Sequence, residues 1–172
     1  MRIIGGLWRN RRLFVPDGKD IRPTADRARE SLFSVLEHSS TYDSWRIAGA
    51  TVLDIFAGTG ALGLEALSRG AKQVVFIDNS ATSVSTINQN LKTVKAVTKA
   101  TVLCKDATQP APSIINANLA FLDPPYRSGL AEQALSALVK TGWLGPGALA
   151  MIETDEKEPI VPPKEFALLE KR

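Results

Sequence analysis

The sequence predicts an α/β domain whose mostly parallel sheet carries helices on both faces. Three observations predict it. From residue 51 onward, short apolar strands alternate with helical segments, and that alternation builds βαβ units with right-handed crossovers. The strands are short and apolar, as suits a sheet covered on both sides. Acids and glycines gather just after the strands, at Asp54 and Gly58, Asp78, Asp106 and Asp123. Ligands of such sheets bind there, outside the carboxyl ends of the strands.

The elements follow in order. Residues 2–15 read as a short hairpin, with Ile3 and Ile4 before Gly5-Gly6, and Leu13, Phe14 and Val15 after the loop. Pro16-Asp17-Gly18 ends it as a turn. A helix starts at Thr24, an N-cap after Pro23, and runs to about His38. Ala28, Leu32, Val35 and Leu36 form its apolar stripe. Residues 1–45 are thus a basic hairpin-and-helix extension, and residues 46–172 the α/β domain. In that domain residues 51–56 are the first strand, 61–68 a helix, and 73–77 the second strand, ending at Asp78. A helix of mixed polarity covers 81–94, and the third strand covers 100–104, ending near Asp106. The fourth strand is 119–122, ending at Asp123. A helix at 132–140 and a fifth strand at 148–152 follow. Residues 166–169 supply one further strand at most, and the acidic run from Glu153 to Glu158 reads as a solvated loop.

Composition narrows the function classes. With 172 residues, 44% hydrophobic and 23% charged, the chain fits one packed domain of ordinary size. It has no apolar run of 18 residues, and its opening lacks the apolar stretch of a signal peptide. A cytoplasmic protein is expected. One cysteine, Cys104, and one histidine, His38, exclude an internal disulfide and a zinc cluster, so no metal is expected. Cys104 is expected to be buried in its strand, and His38 to serve at a helix end. Trp8, Trp45 and Trp143 are expected to pack rather than to stack on bases. The net charge of +3 is uneven: residues 1–30 hold eight basic and four acidic groups, a surplus of +4. A polyanionic partner explains that surplus, and so does a solvated basic arm; charge alone leaves both open.

Gly58-Thr59-Gly60-Ala61-Leu62-Gly63 matches G-x-G-x-x-G between a strand and a helix, and Asp78 lies about 20 residues on. A nicotinamide-dependent oxidoreductase is therefore one reading. Two features oppose it. Asp54 sits in the approach to the loop, where a carboxylate repels a pyrophosphate but suits the sulfonium and ammonium groups of S-adenosylmethionine. The tetrapeptide Asp123-Pro124-Pro125-Tyr126 also has no place in a dehydrogenase. It ends the fourth strand, beside the first across the expected switch point, where an amine that accepts a methyl group is held. The adenosine chemistry is common to both readings. Glycines admit close approach of the backbone, Asp78 accepts from the ribose hydroxyls, and Asp106 accepts from the adenine amino group.

The stretch Asp54-Ile55-Phe56-Ala57-Gly58-Thr59-Gly60, followed by Asp123-Pro124-Pro125-Tyr126, resembles a class I amino-methyltransferase of Rossmann-like fold. Arg2-Ile3-Ile4-Gly5-Gly6 and the stretch from Arg22-Pro23-Thr24 to Ser31-Leu32-Phe33 narrow the resemblance to RsmD-type 16S rRNA guanine-N2 methyltransferases, over nearly the whole chain. The resemblance implies S-adenosylmethionine as cofactor, held by Asp54, Phe56, Gly58, Thr59, Gly60, Asp78 and Asp106. It implies ribosomal RNA, within a small-subunit particle, as partner. Arg9, Arg11, Arg12, Arg22, Arg27 and Arg29 are the candidate RNA contacts. Two departures stand out: Ser34 replaces a usual Asn, and the family continues into one more strand after residues 166–172. A missing C-terminal strand and an incomplete sheet edge are therefore expected. A DNA adenine-N6 or cytosine-N4 methylase shares the D-P-P-Y element, but no segment here is large enough for a separate target-recognition region.

The mechanism that follows is one of positioning. The guanine amino lone pair is delocalised into the ring. The Asp123 carboxylate and the Pro124 carbonyl can localise it by accepting from the two N–H groups. Prolines bring no competing amide protons and stiffen the turn, and Tyr126 can stack on an extruded base.

Overall fold

The structure, a computed structural model, describes residues 1–16, 23–38, 46–113, 115–155 and 159–171. Five strands form one sheet: β1 (Thr51–Ile55), β2 (Gln73–Asp78), β3 (Ala100–Cys104), β4 (Ala117–Leu122) and β5 (Leu144–Ile152). Their order is β3-β2-β1-β4-β5, and every pairing is parallel. The helices are α1 (Pro23–His38), α2 (Ala61–Ser68), α3 (Ala81–Thr93) and α4 (Leu130–Lys140).

The two-residue period of the strands divides the core in two. Val52, Val74, Phe76, Leu119 and Phe121 point to one face and pack with Leu36, Leu64, Ile87 and Leu91 from α1, α2 and α3. Leu53, Ile55, Val75, Ile77, Ala120 and Leu122 point to the other, against Ala134, Leu135 and Leu138 of α4. Helices therefore cover both faces, as the apolar strands predict. The chain order reverses between β1 and β4, and that switch point brings the end of Ile55 beside Leu122.

The N-terminal extension has no core of its own. Ile3, Leu13, Phe33 and Leu36 sit in the same cluster as Val52 and Phe121, and the rings of Phe33 and Phe121 lie 5.4 Å apart. The hairpin is reduced to one antiparallel bridge, Arg2 to Arg12, around a short 3-10 turn at Gly6–Trp8. Polar groups of the domain hold it down. The buried Glu65 accepts from the amides of Ile4 and Gly5, each at 2.7 Å, and the Trp8 amide donates to Ser68 Oγ. On the other side the buried Asn90 accepts from the Phe14 amide at 2.7 Å and donates to the carbonyls of Phe14 and Thr59.

Several expectations need correction. α1 begins at Pro23, not after a Thr24 cap; the fixed φ of proline suits a first helical turn. Residues 166–169 form no strand: Leu168 and Leu169 are both exposed rather than alternating, and Phe166 alone packs onto the core. Among the described residues the sheet thus ends at β5. Cys104 is exposed, because β3 is an edge strand with only intermittent cover. His38 does serve a helix end, its Nδ1 3.0 Å from the Ser34 carbonyl. Trp143 packs in the core, with its indole N–H on the Ala111 carbonyl. The turn at Asp17-Gly18, and Trp45, lie outside the described residues. No helix among the described residues is long and apolar enough to cross a membrane.

Candidate active site at the switch point

The glycine loop leaves β1 through a left-handed residue. Phe56 has φ 60°, Gly58 φ 54° and Gly60 φ 76°. A left-handed phenylalanine is uncommon and costs backbone strain. Each glycine has its own reason. A Cβ at Gly60 would lie 3.1 Å from Ile87 and 3.2 Å from the Phe76 ring, on top of an unfavourable φ. At Gly63 a Cβ would fall 2.4 Å from the same ring, so α2 packs on β2 only with glycine there. Gly58 is the open one: a Cβ there meets nothing nearer than 4.0 Å. Its side of the loop is free for a ligand, as a cofactor site requires.

Asp78, at the end of β2, is half-buried. One carboxylate oxygen accepts from the Gly58 amide at 2.8 Å and the other from the Ser80 amide at 2.8 Å. Asp78 therefore orients the glycine loop, while its remaining lone pairs are available to hydroxyls. Asp106 is exposed beyond β3. Its Oδ1 accepts from the Thr108 amide and hydroxyl, which hold the carboxyl below the usual range and keep it ionised. Both residues stand where the strand-end reading puts them.

Asp54 does not stand open in the approach. It is 1% exposed, and its Oδ2 accepts from the Gly63 amide at 2.8 Å in the first turn of α2. Burial pushes its carboxyl up to about 8; the Gly63 bond opposes this, and the charges of Asp123 and Asp78 add to it. Without a bound cation it holds its proton near neutral pH. Asp54 is therefore not an open carboxylate that repels a pyrophosphate, as the sequence suggests. The charges of Asp78 and Asp123 nonetheless lie near enough to Asp54 to raise it.

Asp123 follows β4, its amide 3.4 Å from the Ile55 carbonyl. Its side chain reaches solvent at the rim, yet the protein packed around it, helped by Glu153, pushes its carboxyl up to about 6. Pro124 is buried and anchors the turn, while Pro125 and Tyr126 are exposed. Ser128 Oγ donates to the Pro125 carbonyl at 2.6 Å and braces the loop. Tyr126 leaves 60% of its surface open, although its hydroxyl donates to Glu153 Oε1 at 3.1 Å. Glu153 opens the acidic run that reads as a solvated loop; it is exposed, as that reading expects, but its carboxylate also takes the Tyr126 hydroxyl, while residues 156–158 lie outside the described residues. The strand-end rule that found Asp54, Asp78, Asp106 and Asp123 also points to Glu153, because it directly follows β5, and its amide donates to the Leu122 carbonyl. A groove of about 630 Å³ lies elsewhere, between α4, Thr108 and Val161, and includes no residue of the glycine loop or of the turn after β4.

The arginines divide. Arg9, Arg11, Arg12 and Arg27 are exposed. Arg29 is not available to RNA: it is 6% exposed and bonded to Asp26 and to the Arg2 carbonyl, with Glu65 at 3.9 Å. Its helix face turns inward onto α2, so a cation that reads as surface in the sequence serves the interior. Arg22 lies outside the described residues.

Comparison with known proteins agrees with this geometry. The family model described as "Conserved hypothetical protein 95" matches residues 1–172. The Haemophilus influenzae protein named ribosomal RNA small subunit methyltransferase D is 38% identical over 100% of this chain and 88% of its own length. The Escherichia coli K12 protein of the same name is 41% identical over 94% of this chain and 79% of its own. The solved structure of Escherichia coli yhhF superposes with a TM-score of 0.76 at 39% identity, covering 94% of this chain and 85% of that one. A Thiobacillus denitrificans S-adenosylmethionine-dependent methyltransferase, solved with S-adenosyl-L-homocysteine, shares the fold at 18% identity and a TM-score of 0.57. From the first glycine pair to the turn after β4, the sequence and the sheet lead to one conclusion: the chain belongs to the ribosomal RNA small subunit methyltransferase D family, whose model is conserved hypothetical protein 95.

Proposed function

We propose that this chain transfers a methyl group from S-adenosylmethionine to the exocyclic N2 amino group of a guanine in small-subunit ribosomal RNA, within a ribosomal particle. One observation carries the reading: β1 and β4 pair at Ile55 and Leu122, so the glycine loop and Asp123-Pro124-Pro125-Tyr126 leave the sheet side by side. The relatives' names supply the RNA.

S-adenosylmethionine supplies a methyl group on a cationic sulfonium that leaves as neutral sulfur. Gly58, Thr59 and Gly60 line its approach, Asp78 and Asp106 accept from its hydroxyl and amino groups, and Phe56 lies at the loop's entry. Asp54 acts from beneath, holding the first turn of α2. On the other side of the switch point the Asp123 carboxylate and the Pro124 carbonyl accept from the guanine N–H groups. Asp123 would take the surplus N–H proton of the methylated amine and pass it on to water. An acceptor with a carboxyl near 6 is suited to that proton at neutral pH. Tyr126, with its ring open, stacks on the base. The basic extension, residues 1–45, holds RNA through Arg9, Arg11, Arg12 and Arg27.

The test is methylation with radiolabelled cofactor of assembled small subunits, naked ribosomal RNA and duplex DNA, followed by nucleoside analysis. Label in N2-methylguanosine, most strongly from the assembled subunit, supports the reading. Label in adenine or cytosine of DNA overturns it.

A further inference from the structure

Glu153 is the acid that the glycine loop and the turn after β4 leave unexplained. It directly follows β5, and its amide donates to the Leu122 carbonyl at 2.9 Å, which sets its backbone beside the residue preceding Asp123. Its carboxylate takes the Tyr126 hydroxyl at 3.1 Å. Its carboxylate therefore meets the ring proposed to receive the base, and its backbone lies beside the residue that precedes Asp123. Glu153 supplies a negative charge near Asp123, while Asp54 and Asp78 lie on the neighbouring strands β1 and β2. Arg127, the cation of the same loop, is engaged with Asp155 at 3.0 Å.

We infer that Glu153 is a positioning residue for methyl transfer, holding the Tyr126 ring at the stacking angle and acting on Asp123 from the adjoining strand end. This rests on the function proposed above. The physical case has two parts. A tyrosine ring open to solvent over most of its surface would otherwise sample its rotamers, and one hydroxyl bond at its far end restricts that freedom before the base arrives. A second negative charge beside Asp123 disfavours its ionised form, and Glu153 joins burial in raising Asp123. A carboxylate far below its ordinary range would bind the amine hydrogen but keep none of its proton; one raised toward neutrality can do both.

The two roles separate by substitution. Glu153→Gln keeps an oxygen for the Tyr126 hydroxyl and removes the charge. The KM for the subunit should stay near wild type, while the acidic limb of the single-turnover pH profile, with its midpoint near 6 in the wild type, should move to lower pH. Glu153→Ala removes both, so the limb should move and KM should rise. Tyr126→Phe should raise KM to a similar degree without moving the limb, and adding Glu153→Ala should raise it little further. An unmoved limb in Glu153→Gln, or a KM unchanged in Glu153→Ala, overturns the inference. Titration of the Asp123 carboxyl by carbon NMR in the free protein decides the electrostatic part without any substrate. A midpoint that falls in Glu153→Gln supports it, and one that does not overturns it, even if the methylated nucleoside is not N2-methylguanosine.

Discussion

Asp54, Asp78 and Asp123 lie on or just after β1, β2 and β4, and the neighbours of each carboxyl group differ. Asp54 is buried with acids of like sign nearby, so ionising it opposes folding. Its carboxyl rises from 3.8 unfolded to about 8 folded. A carboxyl raised by folding favours the native state at low pH, and that advantage is lost as pH rises from about 4 through about 8. Asp54→Asn should remove this loss while keeping an oxygen for the Gly63 amide. Urea midpoints should therefore fall less between pH 5 and pH 8 in the variant than in the wild type. Asp78 is different: the amides of Gly58 and Ser80 both donate to its carboxylate. Asp78→Ala should weaken S-adenosyl-L-homocysteine binding by about 1.5–3 kcal/mol, the worth of a charged hydrogen bond, as read by calorimetry; an unchanged affinity would remove it from the site. The role proposed for Asp123 belongs to the transition state. Asp123→Ala should slow single-turnover methylation by about 10²–10³ with cofactor affinity unchanged, and transfer at the wild-type rate would make the turn merely structural.

At the scale of elements, the junction of α2 with β2 is the least tolerant. Gly63 lets the helix lie against Phe76 and Val74, and an added methyl would sit 2.4 Å from the ring and 2.8 Å from the Val74 side chain. Both neighbours are buried. Gly63→Ala should destabilise the protein by about 1–3 kcal/mol through overpacking, measured by denaturant titration, whatever its effect on the cofactor. This glycine was legible in the sequence as the third of a pattern, but its reason was not: the pattern suggests a ligand, and the structure shows helix–strand packing. The elements themselves were legible because apolar runs and strand-end acids recur at each crossover. What could not be read is direction within an element. Arg29 looks like its arginine neighbours on α1 and turns inward to Asp26 and Glu65. The last expected strand failed because nothing in residues 166–169 alternates, and Phe166 alone found a place in the core.

For the molecule as a whole, charge and fold are joined at the extension. The exposed Arg9, Arg11 and Arg12 lie on a segment held to α2 and α3 through backbone contacts to Glu65, Ser68 and Asn90. Replacing the three arginines with alanine should weaken RNA binding and flatten its dependence on log salt by up to about two to three units, with cofactor affinity unchanged. An equal slope in filter binding would show that the segment is only solvated surface.

Asn90 carries one further consequence. A single buried amide grips the backbone of Phe14, in the arginine-bearing segment, and of Thr59, between the two glycines of the loop. Neither segment can shift far without breaking a bond made by the same side chain. Freedom lost by one is then partly lost already by the other, so whatever orders the loop lowers the entropic cost of ordering the segment. By linkage the effect is the same in reverse. If the proposed function holds, the cofactor loop and the RNA-holding segment thus share one buried side chain.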